Sequence, residues 1–82
     1  MIYEIEIKNR AMKDLEALSP DERQRVSGKI DDMRNNLSGD VKRLRNFTPR
    51  FRMRSGDYRV LFEVEENRVV IYRVRHRRDV YR

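Results

Sequence analysis

Phe51-Arg52-Met53-Arg54-Ser55-Gly56-Asp57-Tyr58-Arg59-Val60-Leu61-Phe62-Glu63-Val64 carries the clearest structural signal in the chain. Phe51 and Met53 alternate with Arg50, Arg52 and Arg54; Tyr58, Val60, Phe62 and Val64 alternate with Arg59, Leu61, Glu63 and Glu65. Apolar residues at every second position mark strands with one buried face. Ser55-Gly56-Asp57 between the two runs is a turn, since glycine supplies the backbone freedom a tight reversal needs. Glu66-Asn67 marks a second turn, and residues 68–75 form a last strand. The C-terminal half is therefore read as a three-stranded antiparallel meander.

Upstream, the signals are helical. Ile2, Ile5 and Ile7, with Tyr3, alternate with Glu4, Glu6 and Lys8 as a first strand. Asn9 is a plausible N-cap for a helix over residues 10–18, whose Ala11, Met12, Leu15 and Leu18 share one face. Ser19-Pro20-Asp21-Glu22 opens a second helix with a capping serine, proline at the first helical position and glutamate at the third. Val26, Ile30, Met33 and Leu37 carry it to about Asn36, and Gly28 inside it marks an expected close helix crossing. Ser38-Gly39-Asp40 ends the helical part, and residues 41–49 are an irregular or short-strand connection. The expected fold is α+β in the order β-α-α-β-β-β, an antiparallel sheet with both N-terminal helices on one face.

With 82 residues, residues 1–82 make one small domain, too small for a deep multi-layer core. The absence of cysteine excludes a disulfide framework, and one histidine leaves no basis for a histidine-rich metal site. The chain suits a reducing cytoplasm. Its start lacks the layout of a signal peptide, and no apolar run approaches a membrane span. Charged residues reach 41% of the chain, yet the periodicity of the apolar 38% argues for folding over disorder.

The net charge of +6 is unevenly spread: residues 1–40 sum to −2 and residues 41–82 to +8. Twelve of the thirteen cations in the second half are arginine, Lys42 being the other. Arginine binds phosphate through a planar fork, so the bias points toward nucleic acid. Composition alone equally allows a solvated basic surface, or arginines paired with acids of the first half. Alternation weighs between them. If Phe51, Met53, Tyr58, Val60, Phe62 and Val64 face the helices, Arg50, Arg52, Arg54 and Arg59 face away. In the last strand Val69-Val70-Ile71-Tyr72 is apolar on both faces. Putting Val70, Tyr72 and Val74 in the core sends Arg73 and Arg75 outward, avoiding two buried arginines. Six arginines then converge on one open face, with Leu61, Val69 and Ile71 as apolar ground for bases. Arg77 and Arg78 extend the cationic surface. His76 and Tyr81, beside it, are candidate proton carriers, with surface or edge-covering roles as the plain alternatives.

The turn Arg54-Ser55-Gly56-Asp57-Tyr58-Arg59-Val60 and the end His76-Arg77-Arg78-Asp79-Val80-Tyr81 resemble the RelE branch of the RelE/ParE toxin superfamily. Length and element order agree, and Val41-Lys42-Arg43-Leu44 is similar to a family element that precedes the meander. The resemblance implies the toxin of a type II toxin–antitoxin pair, a messenger RNA endonuclease working in the ribosomal 30S A site. It implies no cofactor and no metal: the 2′-hydroxyl of the message attacks the adjacent phosphate. The expected partners are a cognate antitoxin and the ribosome with its message. By position, Arg59 and Arg75 match the family's phosphate-handling arginines, Arg50 and Arg52 fall where relatives have catalytic lysines, and Tyr81 matches a C-terminal tyrosine. Arginine cannot serve as a base near neutral pH. The resemblance thus leaves Arg52, Arg59 and Arg75 to stabilise charge. Proton transfer falls to His76 first and Tyr81 second, with Glu63 or a ribosomal group behind them. A ParE-like gyrase inhibitor and a basic module that binds RNA without cutting are the competing readings.

Overall fold

A computed structural model describes residues 1–80. The order is β1 (Glu4–Ile7), α1 (Asn9–Glu16), α2 (Pro20–Asp32), β2 (Asp40–Arg43), β3 (Phe51–Ser55), β4 (Tyr58–Glu65) and β5 (Arg68–His76). One five-stranded sheet forms, in the spatial order β1-β5-β4-β3-β2. β2 to β5 run antiparallel to their neighbours, but β1 pairs with β5 in parallel, Ile5 opposite Val69 and Ile7 opposite Ile71. The sheet is mixed, not purely antiparallel as expected. A parallel pair needs a long connection between its strands, and everything from α1 to β4 lies between these two.

Local signals held where side chains act on their own backbone. Ser19 caps α2, its Oγ accepting from the Glu22 amide at 3.3 Å and donating to Glu22 Oε1 at 3.0 Å. The two helices are stapled by Arg23, whose guanidinium donates to the carbonyls of Leu15, Glu16 and Leu18 at the end of α1. The cap of α1 differs from expectation: Lys8 occupies it without a side-chain hydrogen bond, and Asn9 is already helical. α2 stops at Asp32 rather than near Asn36: the amides of Met33, Arg34 and Asn35 bond back three residues instead of four, and Asn36 and Leu37 then adopt left-handed φ of 55° and 57°. Leu37 still packs on the core from that loop. The connection after it contains a true strand, β2, that pairs Val41 with Met53.

Ala11, Leu15, Val26, Ile30 and Met33 from the helices meet Met53, Val60, Phe62, Val69, Ile71 and Val74 from the sheet. Phe51 and Phe62 stack across β3 and β4 with ring centroids 5.6 Å apart. Val69 and Ile71, expected on the open face, thus lie in the helix-side core. Val70, expected in the core, is buried outside that cluster, directly opposite Glu63. The cause is a register shift. Leu61 pairs with Arg73 but the next residue, Phe62, pairs with Ile71, leaving Tyr72 as an extra residue in β5. Such a bulge shifts the alternation by one, so Val69, Ile71 and Val74 can all face the helices. No helix among the described residues is long and apolar enough to cross a membrane.

Gly28 does not mark a close crossing: a Cβ built there meets nothing within 4 Å. It sits inside α2 at an exposed position and has no positive φ. Gly28→Ala should therefore raise stability by about 0.5–1 kcal/mol, through helix propensity and a less flexible unfolded chain. Thermal or urea unfolding checks this; an unchanged or lowered midpoint contradicts the open environment of Gly28.

Candidate nucleic-acid interface

Pairing across the meander fixes which arginines meet. Asp40 lies opposite Arg54, Arg54 opposite Arg59, and Arg59 opposite Arg75. These four positions form one row across β2, β3, β4 and β5 on the face away from the helices. Beside it runs a second row, with Lys42 opposite Arg52, Arg52 opposite Leu61 and Leu61 opposite Arg73. Neighbouring strands are about 4.8 Å apart, so three guanidinium-bearing residues stand side by side in the first row. Like charges placed directly opposite repel.

The remaining arginines of the expected six are held by acids. Arg50 donates from Nε to Glu63 Oε1 at 2.8 Å, and its amide donates to Glu63 Oε2 at 2.9 Å. Arg52 donates from one nitrogen to the Asp40 carbonyl at 3.0 Å and to its carboxylate at 3.2 Å. Arg73 is drawn off the open face toward α1, where its Nε and Nη2 donate to the Asp14 carboxylate at 2.8 and 3.3 Å. Hydrogen bonding to Asp14 pushes the Arg73 pKa further up, with burial opposing it. Arg73, expected among the RNA-facing arginines, shares their face by register, but its guanidinium is taken up by a carboxylate 59 residues away. Arg54 and Arg75 have no ion pair among the described residues. Arg59 donates to the Gly56 and Tyr58 carbonyls at 2.9 and 3.0 Å, which braces it over its own hairpin.

The expected apolar ground for bases is largely absent. Val69 and Ile71 belong to the core, and Leu61 is buried between its cross-strand neighbours Arg52 and Arg73. A face of guanidinium groups without exposed apolar side chains suits phosphate more than stacked bases.

His76 is set apart from the row. It pairs with Tyr58, and alternation puts both on the helix side, opposite Arg59 and Arg75. The two rings meet edge to face at 5.5 Å. Burial, then the Glu22 carboxylate, raises the Tyr58 pKa above the ordinary phenol value. His76 Nδ1 accepts the Arg78 amide at 3.2 Å, which in the neutral ring leaves the proton on Nε2. Arg77 is tied to the hairpin as well: its amide donates to the Asp57 carbonyl at 2.7 Å and its side chain approaches Asp57 at 3.8 Å. Arg78 is exposed in this turn. Tyr81 lies outside the described residues. Among the described residues no group of three His, Cys, Asp or Glu side chains is placed to hold a metal ion. Asp14 and Asp40 were missed by sequence reading, because nothing local ties an acid to an arginine on another element.

Residues 5–81 match the family described as the ParE toxin of the type II toxin–antitoxin system, and the chain belongs to that family, within the RelE/ParE superfamily. It is 29% identical over 75 residues to Toxin RelE3 of Methanocaldococcus jannaschii, covering 85% of each chain. The fold superposes on the toxin–antitoxin complex RelBE2 of Mycobacterium tuberculosis with TM-score 0.81 and 28% identity, covering 93% of this chain and 99% of that one. The RelB–RelE antitoxin–toxin complex of Methanococcus jannaschii gives TM-score 0.76 at 28% identity, covering 93% and 94%.

Relief of charge crowding gives a direct test of the row. Arg54→Gln and Arg75→Gln should each stabilise the isolated chain by a few tenths of a kcal/mol at low salt. The gain should fade at high salt as the repulsion is screened. Paired melting curves at the two ionic strengths measure it; destabilisation at low salt would show that these cations have partners in the fold.

Proposed function

We propose that this toxin is a ribosome-dependent endoribonuclease that cuts messenger RNA in the 30S A site. The observation that carries the reading is the Arg54–Arg59–Arg75 row: cations opposite one another on a sheet face, costly to the fold and suited to a phosphate. In this reaction the 2′-oxygen of one nucleotide attacks the neighbouring phosphorus and loses its proton to a base. The bond from phosphorus to the next 5′-oxygen breaks, and that oxygen takes up a proton. The products are a 2′,3′-cyclic phosphate and a 5′-hydroxyl end. Arg59 and Arg75, with Arg54 and Arg52 at the flanks, stabilise the charge gathering on the phosphoryl oxygens. Arg50, Arg77 and Arg78 add phosphate contacts along the message.

His76 enters as an anchor of the C-terminal turn, since its Nδ1 is engaged by Arg78 and its ring faces Tyr58. Tyr81 or a ribosomal group then carries the proton. Among the described residues the arginine row itself offers cations and no base, which is why the ribosome enters the reading as a candidate source of one. The cognate antitoxin is the protein partner. An acidic segment laid across the arginine row would mask it and relieve its repulsion.

The family match to ParE toxins keeps a ParE-like protein as the second reading, and the activity to test for it is inhibition of DNA gyrase. Induction of the chain alone, with mapping of message ends, separates the two. Codon-resolved cuts that require ribosomes are expected; DNA damage with intact messages would establish gyrase as the target. Arg59→Ala and Arg75→Ala should each lower cleavage by about 10²-fold or more. His76→Asn, which keeps an acceptor near the Nδ1 position, should retain most of the activity that His76→Ala loses. Equal, severe loss in both would return His76 to the role of proton carrier.

A further inference from the structure

Strand β5 serves two neighbours along its length. β1 covers it only through Ile71, and the Lys8 amide closes that stretch by donating to the Ile71 carbonyl at 2.9 Å. Beyond this point α1 takes over. Asp14 Oδ2 accepts both Arg73 Nε at 2.8 Å and the Val74 amide at 2.9 Å. The carboxylate side chain is only 16% exposed and that of Arg73 26%. One oxygen thus binds the backbone just past the bulge and the side chain that the bulge turns.

The consequence lies one residue further on. In a regular strand, residues 69, 71, 73 and 75 share a face. Val69 and Ile71 are in the core, so an unbulged β5 would send residue 75 toward the helices. With Tyr72 as the extra residue, Val74 enters the core and Arg75 comes opposite Arg59. The arginine row therefore exists only while the bulge does. We propose that Asp14 is a positioning residue for anion binding: by clamping Arg73 and the Val74 amide it holds the bulge that sets Arg75 beside Arg59. This rests on the row being the phosphate ligand of the proposed function.

Removing an acid makes the chain one unit more positive, so plain electrostatics requires Asp14 substitutions to tighten RNA binding. The clamp requires the opposite. The probe is a short single-stranded RNA whose riboses are 2′-O-methylated, so that it cannot be cut. Its affinity is titrated against salt for the intact chain and its variants, with folding checked by circular dichroism. Arg75→Gln should flatten the slope of log affinity against log salt by about 0.7, the loss of one phosphate contact on a single strand. Asp14→Ala should weaken binding and flatten the slope by about the same amount. In the double variant the two losses should not add, since both remove the same contact. Asp14→Asn keeps one acceptor oxygen for two donors and should show a smaller loss of the same sign. If Asp14→Ala does not fold, this near-isosteric variant carries the test of sign. Tighter or unchanged binding by folded Asp14 variants, or losses that add to that of Arg75→Gln, overturn the clamp while leaving the row intact. An Arg75→Gln chain that binds like the parent overturns the row, and the clamp with it.

Discussion

The alternation of a β-strand is the constraint on which this structure turns, because β5 cannot obey it throughout. Its first part must bury Val69 and Ile71 against the helices beside β1; its second part must bury Val74 beside Val60. Those three positions do not share one parity. A single extra residue, Tyr72, reconciles them and reverses the side-chain directions beyond it. Core packing on one side of the bulge and the arginine row on the other are thus two results of one backbone irregularity. The amide released at the bulge is not left unmet: Val74 donates to Asp14, as a buried backbone group requires.

Acids then pair with three of the meander's arginines. Glu63, Asp40 and Asp14 take Arg50, Arg52 and Arg73 respectively. Each of these pairs is at the margin of the meander, and each ties down an element: the entry to β3, the β2 edge and the contact of α1 with β5. Arg54 and Arg75 in the middle receive no carboxylate among the described residues. A surface whose charges were only for solubility would gain by spreading them, since adjacent strands force opposite positions together. Here the crowding is confined to one row, with compensation at its borders.

The parts of the fold that speak through local chemistry were legible in the sequence. Alternation located β3 and β4, and Ser19-Pro20-Asp21-Glu22 located the start of α2. The register of β5 was not legible, because Val69-Val70-Ile71-Tyr72 is apolar in either phase and so carries no parity signal. The cost of burying arginine points Arg75 outward in either case, but a regular strand would do so with Val70 in the core in place of Val69 and Ile71. Neither supplies Arg73 with Asp14, a partner invisible to any window of the sequence. The parallel edge formed by β1 was hidden for the same reason: pairing between distant strands leaves no local trace.

The division of labour between the two faces follows from the same parity. Past the bulge, odd positions of β5 look outward and even positions look toward the helices, so Arg75 and His76 cannot serve the same surface from within the strand. His76 spends its ring on Tyr58 and its Nδ1 on the Arg78 amide, while the Arg77 amide reaches back to Asp57. These contacts pin the segment leaving β5 to the β3–β4 hairpin, the hairpin that also carries Arg54 and Arg59. Val80, the last described residue, is buried at the end of that turn. The histidine is therefore a tether on the helix side of the sheet, and it sets the course of the chain as it leaves β5.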